Sequence, residues 1–375
     1  MDMDIVLSHT TALEVMRRPY YPGRLAQAMT CPVELPARMP ARADLLDACE
    51  RCPQLDGASL PVHVLISDAG HRHRFSMVAP HACRLSLPPG SLVPLAPGVR
   101  CVSPPLLAVQ MAPRIDELEL VVLLAELLGT YALSPASPLG LEQRRAPLVT
   151  RDQLLAFLDA CGPVPGTAQV RAALSQTPVG AASPMESKLF VRGVRRFASG
   201  GYRLGEVALN DPVLLESLSR SVPELRVRKP DLLLLASGEG ACPEGRMPFS
   251  GVALDYHGEW HADPVQVRRD TERANELMAH GIKDYVIWKE SYDDIDYMDA
   301  LMDNVRRDLG LPPRKLSRER ARGERAARVA LWAELERIDG LHWSGLAESP
   351  TGLLVPESPG LRAARDSGGL CVCCA

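Results

Sequence analysis

Two short apolar stretches in the second half of the chain each carry an aspartate. Asp231 stands directly before four leucines, and Asp255 lies inside the sequence VALDYH. Both stretches have the length and residue types of β-strands. Because side chains alternate between the two faces of a strand, Asp255 and His257 share one face, and Leu254 and Tyr256 share the other. A buried carboxylate needs a positive partner, so this pattern predicts a divalent cation held between Asp231 and Asp255.

The pattern around these strands predicts an α/β fold. Ser183 followed by Pro184 is typical of a helix start, and we expect that helix to run to residue 197. A second helix is predicted from Asp263 to residue 280, with Gln266 completing its capping box. A strand over 284–288 and a helix over 293–309 follow. The order helix, strand, strand, helix, strand, helix indicates a small mixed sheet flanked by helices.

The first 113 residues predict a mixed α+β module. A helix is expected over 12–18, a strand over 61–67, two short strands within 83–97, and a helix from Ser103 to residue 112. Segment 114–180 predicts a helical connector, with helices over 118–128, 154–160 and 166–176.

Four predictions concern the rest of the chain. Residues 181–312 form the domain that contains the two aspartates, and 313–340 predict a charged helix. That helix begins with seven Lys or Arg against two Glu between residues 313 and 328, a composition that suits either a nucleic-acid contact or packing on the domain. The acidic positions between 293 and 303 predict a solvated helix face. Residues 341–375 are rich in Gly, Ser and Pro, which predicts a disordered tail.

Composition narrows the classes of function. The formal net charge of −4 argues against a protein that coats nucleic acid, although a local basic groove stays open. Glu119 and Glu126 interrupt the most apolar segment, which excludes a membrane span there. No apolar signal core follows the acidic start, so we expect a cytoplasmic protein whose ten cysteines are free thiols. The cysteine spacings at 49–52 and 371–374 lack a matching second pair and do not favour zinc.

The second half of the chain resembles a known group of nucleases. The Pro230-Asp231 pair with an acid in the next strand is similar to the PD-(D/E)XK superfamily. Within it, the SPME sequence at 183–186 and the Asp270-x-x-Arg273 spacing resemble endonuclease-domain proteins related to very-short-patch mismatch-repair endonucleases. The HGEWH sequence at 257–261 is similar to a segment of that repair group. Segments 8–17 and 102–112 resemble abortive-infection type IV antitoxin-like proteins.

The nuclease resemblance, which covers residues 181–310, implies a restriction-endonuclease-like core and a set of roles. Mg²⁺ or Mn²⁺ would be bound by Asp231, Asp255 and the carbonyl of Tyr256, and Glu186 would complete the acidic cluster or hold a second ion through water. His257 would orient or deprotonate a water, and His261 would be a reserve general acid. The structural alternatives are a helix cap for Glu186 and a core histidine for His257.

The remaining predicted site residues support the strands. Gln266, Asp270 and Arg273 fall on one helical face, where Asp270 and Arg273 either form a local ion pair or brace the helix against the strands. Two positions depart from the pattern of this nuclease branch. Asp255 replaces its usual Glu, and His257 replaces its usual Asp or the Lys of the wider superfamily.

These features lead to two hypotheses. The first is a metal-dependent endonuclease or nickase that acts on DNA in defence or repair, without a small-molecule cofactor or a membrane partner. The second is a non-catalytic DNA-binding or antitoxin-like regulator that carries a decayed nuclease fold. In either case a protein partner or a homodimer would form through the N-terminal half.

Overall fold

The computed structural model describes residues 4–71, 77–144, 146–216, 218, 225–236, 249–258, 264–345 and 352–354. The strands, in chain order, are β1 (Ile5–Leu7), β2 (Ser59–Leu60), β3 (Val62–Ile66), β4 (Val78–Ala82), β5 (Leu92–Ala96), β6 (Val99–Val102), β7 (Tyr131–Leu133), β8 (Leu141–Gln143), β9 (Ala208–Leu209), β10 (Val213–Glu216), β11 (Leu225–Arg228), β12 (Leu232–Leu235), β13 (Gly251–His257), β14 (Ile282–Trp288) and β15 (Gly352–Leu353). The helices are α1 (His9–Met16), α2 (Arg42–Arg51), α3 (Pro104–Met111), α4 (Glu117–Leu128), α5 (Arg151–Cys161), α6 (Thr167–Leu174), α7 (Pro184–Val194), α8 (Pro264–Ala279), α9 (Lys289–Asp293), α10 (Ile295–Asp308) and α11 (Arg318–Arg337). Short 3₁₀ helices lie at Pro22–Thr30, Pro53–Leu55, Ala69–His71 and Phe197–Ser199.

The chain divides into two compact units. The first comprises Met1–Asp116, Leu148–Val170 and Ser344–Ala375, and the second comprises Glu117–Pro147 and Arg171–Trp343. The segment 114–180, which the sequence predicts to be a connector, therefore contributes to both units. Its predicted helices are present as α4, α5 and α6. The capping box at Thr150 is also present, because Thr150 Oγ1 accepts from the Gln153 N–H and Gln153 Oε1 accepts from the Thr150 N–H.

The first unit is built on a five-stranded mixed sheet in the order β4-β3-β1-β6-β5. β1 lies parallel to β6 and antiparallel to β3, while β3 and β4 are parallel. Every residue of β1, β3 and β6 is buried, as expected for strands that are covered on both faces. The predicted strand at 61–67 is confirmed as β3, and the predicted helix after Ser103 is confirmed as α3.

One strand prediction in this unit is wrong. Of the two strands expected within 83–97, the second exists as β5, whereas the other strand lies earlier in the chain, as β4. β4 contains Pro80, which weakens the strand signal in the sequence. The structure tolerates Pro80 because, among the strands that are described, β4 lies at the edge of the sheet and pairs with β3 alone.

The second unit contains a four-stranded mixed sheet in the order β14-β13-β12-β9. β13 and β14 are parallel, and β12 is antiparallel to both β13 and β9. On one face, α7 and α10 pack through Leu189 and Met298 against Leu232 and Leu254. On the other face, Leu277 of α8 packs with β12, β13 and β14. This arrangement confirms a mixed α/β fold with the three predicted strands β12, β13 and β14 in one sheet.

Several elements of the second unit differ from the prediction. The hairpin of β10 and β11 and the short strands β7, β8 and β9 carry no strong alternating pattern, since Leu214, Leu225 and Val227 are exposed. The helix predicted over 293–309 is present as α10, which begins two residues later, at Ile295. The Asp294 carboxylate accepts hydrogen bonds from the N–H groups of the second and third residues of α10, at 2.9 and 3.1 Å, and so caps the start of this helix.

The acidic face of α10 is exposed at Asp294, Asp296 and Asp303, as predicted, and two of its acids also form ion pairs with α11. Asp296 pairs with Arg325 at 2.7 Å, and Asp299 pairs with Arg328 at 2.7 Å. The basic side chains of α11 thus pair with acids of α10 within the same unit. Of the two alternatives for the charged helix, this contact favours packing on the domain.

The C-terminal segment is only partly described. β15 pairs antiparallel with β2 inside the first unit, so the prediction of disorder is wrong for Gly352 and Leu353. Residues 355–375, including the cysteines at 371–374, lie outside the described residues. Within the described part of the chain, the cysteines are free thiols, and no helix is long and apolar enough to cross a membrane.

Candidate functional site

Asp231 and Asp255 lie opposite each other where β12 begins. The antiparallel register pairs Leu232 with Leu254, and one step further along it places Asp231 opposite Asp255. Residues directly opposite in a sheet share a face. The Asp231 N–H donates to Asp255 Oδ1 at 2.9 Å, and the Tyr256 N–H donates to Asp231 Oδ2 at 2.7 Å. The structure therefore brings the two predicted metal ligands together, with each carboxylate held by a backbone N–H of the neighbouring segment.

Arg273 of α8 supplies a positive charge to this pair. Its Nη2 forms an ion pair with Asp255 Oδ2. Asp255 is almost fully buried, at 1% exposed, so this charge compensation matters for its stability in the fold. Of the two alternatives for Arg273, the structure places the side chain as a brace between the helix and the strands. Asp270 lies on the same helix, and its charge acts on the nearby Asp284.

Asp284 is a third, half-buried carboxylate at this site, and its role was not predicted from the sequence. The parallel register pairs it with Ala253, which shares a face with Asp255, so Asp284 faces the same side of the sheet. Its Oδ1 atom is buried and has no hydrogen-bond partner among the described residues. Burial raises the pKa of Asp284, while the charges of Arg273 and His257 lower it. The alternation of side chains along the strand sequence DYVIW places Asp284 and Trp288 on one face. This alternation is the sequence signal that could have identified Asp284.

Glu186 has both of the roles that the sequence leaves open. It caps α7, since Ser183 Oγ accepts from the Glu186 N–H at 3.1 Å and Glu186 Oε2 accepts from the Ala182 N–H at 2.8 Å. It also accepts from Asn210 Nδ2 at 2.6 Å, and the Asn210 N–H donates to the Asp231 carbonyl at 3.2 Å. Burial, together with the negative charge of Asp231, raises the pKa of Glu186 to about 7. Glu186 is therefore part of the same acidic cluster.

The electrostatics of Asp231 reflect the whole cluster. Burial is the main cause that raises the pKa of Asp231, and the charge of Asp284 adds to it. The Tyr256 N–H, Arg273 and His257 act in the opposite direction. Asp255 is buried, Asp231 and Asp284 are half-buried, and all three have Arg273 as a positively charged neighbour. With Glu186 near Asp231, carboxylates outnumber arginines in this cluster.

Of the two predicted proton-handling residues, His257 belongs to the described part of the chain and His261 does not. His257 ends β13 on the same face as Asp255, and its ring stands edge-on to Trp288 with the centroids 5.0 Å apart. The Tyr256 side chain points to the opposite face and packs edge-on against Tyr292. A ligand role for the Tyr256 carbonyl stays a prediction. His261 and the side chain of Gln266 lie outside the described residues.

Carboxylate oxygens are the donors that a hard divalent cation takes, but among the described residues no third His, Cys, Asp or Glu joins Asp231 and Asp255 at metal-ligand spacing. Mg²⁺ and Mn²⁺ are bound by one or two carboxylates with waters in the remaining positions, and Asp231 and Asp255 supply that pair. The buried Oδ1 of Asp284 offers a further acceptor without a donor in the described structure. Comparisons with protein-family models, with curated proteins and with solved structures returned no match. Functional interpretation therefore depends on the geometry of this cluster.

Proposed function

We propose that the second unit is a metal-dependent nuclease domain that hydrolyses phosphodiester bonds of DNA. The observation that carries the proposal is the meeting of Asp231 and Asp255 at opposite positions of neighbouring strands. A buried and a half-buried carboxylate that face one another with a single arginine nearby are stabilised by a divalent cation. The arrangement of β12, β13 and β14 between α7 and α8 supports a restriction-endonuclease-like core.

In this proposal Asp231 and Asp255 bind Mg²⁺ or Mn²⁺, and the Tyr256 carbonyl and Glu186 are additional ligands. The chemistry that such an ion supplies when bound is neutralisation of phosphate charge and a more acidic water. His257 lies on the same face as Asp255, where it can accept a proton from water. His261 is kept as the reserve acid. Arg273 and Asp270 position the strands from α8.

Cleavage of supercoiled plasmid tests the proposal. The parent protein, Asp231→Asn and Asp255→Asn are incubated with plasmid DNA and Mg²⁺ or Mn²⁺, beside the matched control Asp303→Asn. Asp303 is an exposed aspartate of α10 in the same unit. We expect nicking by the parent and the control, at least about 100-fold slower nicking by the two site variants, and none when EDTA is present. Equal nicking by all four proteins, or none by the parent, contradicts the proposal.

The ion pair between Arg273 and Asp255 favours a second candidate, a non-catalytic DNA-binding regulator. Arg273 already offsets the charge of Asp255 without any metal. A decayed site of this kind would leave DNA binding intact and independent of divalent cations. Gel-shift titrations in EDTA and in Mg²⁺ distinguish the two candidates. Cation-independent binding without cleavage favours the regulator, whereas cleavage that requires a cation favours the nuclease.

A further inference from the structure

Three histidines from separate parts of the sequence meet in the first unit. His9 is the first residue of α1, His63 lies in β3 and His81 lies in β4. One ring nitrogen from each lies within 4.8 Å of the other two. Within the described part of the chain, this is the set of three His, Cys, Asp or Glu side chains that meets this spacing.

The sheet brings these side chains together. In the parallel pair of β3 and β4, His81 is in register with Leu65, so His63 and His81 share a face. The Ser8 N–H donates to the His63 carbonyl at 2.9 Å, and the His63 N–H donates to Thr11 Oγ1 at 2.9 Å. These two hydrogen bonds fix the start of α1 against β3, so His9 is held beside the other two rings.

The backbone of His9 adds an independent observation. Its φ angle is +48°, in the left-handed region that non-glycine residues rarely occupy. Such a conformation costs on the order of 1–3 kcal/mol and persists where surrounding structure requires it, often at binding sites. Here it places the imidazole of His9 in a stack on His81, with the ring centroids 3.6 Å apart.

The chemistry of the three rings suits a transition metal. His9 Nδ1 lies 3.1 Å from Ser8 Oγ, which leaves its Nε2 for a ligand. His63 Nδ1 and His81 Nε2 are 2.8 Å apart. Two nitrogens on a tetrahedral zinc ion lie roughly 3.3 Å apart, for Zn–N bonds of about 2.0–2.1 Å. To hold the ion, His63 Nδ1 and His81 Nε2 therefore move slightly apart, and the His9 ring rotates out of its stack on His81.

Burial disfavours the charged form of two of the ligands. His9 is 4% exposed and His63 is 9% exposed, and a buried imidazole is destabilised in its charged form. Neutral imidazole is the form that binds metals.

We propose that His9, His63 and His81 form a three-histidine site for a transition-metal ion, with Zn²⁺ as the first candidate. Three imidazole ligands select Zn²⁺, Co²⁺, Ni²⁺ or Cu²⁺ over Mg²⁺, because nitrogen is a softer donor than carboxylate oxygen. Three protein ligands leave a fourth position on a tetrahedral ion for water or another small molecule. This site is separate from the carboxylate cluster in residues, in unit and in metal preference.

Zinc and cobalt titration of the full chain tests the site. The background protein carries serine at Cys371, Cys373 and Cys374, so that the tail thiols do not bind metal. In that background we compare the unchanged histidines with His63→Gln, His81→Gln and the control His342→Gln, which lies in the second unit. Isothermal titration measures Zn²⁺ binding, and the visible spectrum of the Co²⁺ form reports its coordination geometry.

We expect the background protein and the His342→Gln control to bind one Zn²⁺ per chain. Each variant in the cluster should lose at least about 100-fold in affinity, as expected when one of three ligands is removed. The Co²⁺ form should show the intense bands of a tetrahedral site. The proposal is overturned if the background protein binds no Zn²⁺, or if His81→Gln and His342→Gln bind it equally. The first of these outcomes does not depend on whether any cluster variant folds.

Discussion

Replacing Arg273 with methionine removes the side chain that forms the ion pair with buried Asp255. Methionine keeps much of the side-chain volume, so the main change is the loss of charge. Removal of one partner from a buried ion pair costs about 3–5 kcal/mol, because the other charge stays buried without compensation. The Asp255 side chain is 2% exposed and that of Arg273 is 23% exposed. We therefore expect a loss at the lower end, about 3 kcal/mol in the free energy of unfolding.

Urea denaturation, followed by tryptophan fluorescence, measures this loss of stability in the second unit, which contains Arg273 and Asp255. All four tryptophans of the chain lie within residues 171–343, so their fluorescence reports on the second unit. The matched control is Arg268→Met on the same helix, where an exposed pair with Glu272 is removed. That change should cost less than about 0.5 kcal/mol.

Two further measurements separate charge from packing. The double variant Arg273→Met with Asp255→Asn removes both members of the ion pair and leaves no buried charge at position 255, so it should be more stable than Arg273→Met alone. Mg²⁺ should also restore stability to Arg273→Met, by about 2.7 kcal/mol at a concentration 100-fold above its dissociation constant. If Arg273→Met unfolds like the control, or if the double variant shows the sum of the two single losses, our account of a charge-deficient cluster is refuted.

Two other predictions concern the frame around the site. Hydrogen bonds from Arg314 lower the pKa of Glu324. Its stabilising contribution is therefore present at neutral pH and is lost as the pH falls below the usual glutamate range near about 4.3. In Glu324→Gln, the midpoint of thermal unfolding should be lower than in the parent at pH 7 and should change less between pH 5 and pH 3. If the midpoint of Glu324→Gln depends on pH as in the parent, the Arg314–Glu324 pair does not make this contribution. Gly200→Ala should cost more than about 1 kcal/mol, because φ is +81° and the new Cβ would lie 2.4 Å from a backbone oxygen of α11. Gly205→Ala is the control, with φ of +97° and no atom within 4 Å of the new Cβ, so equal losses in urea denaturation would refute the steric cause.

The sequence was sufficient for the local part of the candidate site. Two short apolar strands with an acid in each predicted β12 and β13, and their antiparallel pairing placed Asp231 opposite Asp255. The capping signature at Ser183 likewise predicted the start of α7 and the position of Glu186. These features depend on alternation, turn chemistry and caps, which act over a few residues.

Features that depend on distant pairing were missed or incomplete. Asp284 joins the cluster because β14 runs parallel to β13 after the crossover through α8. The sequences of the two strands do not predict this register. The three histidines are 54 and 18 residues apart, without the spacing of a metal motif, and only the order of β1, β3 and β4 brings them together. The ion pairs that α11 forms with two acids of the exposed face of α10 were likewise not predicted.

The most direct test of the nuclease account is Mn²⁺ binding to the carboxylate cluster. Electron paramagnetic resonance measures free Mn²⁺ during titration of the full chain, with His81→Gln in the background so that the histidine cluster does not contribute. We predict that this protein binds Mn²⁺, that Asp303→Asn binds it equally, and that Asp231→Asn weakens binding by at least about 10-fold through loss of a carboxylate ligand. The account is contradicted if the His81→Gln protein binds no Mn²⁺, or if adding Asp231→Asn leaves its Mn²⁺ binding unchanged.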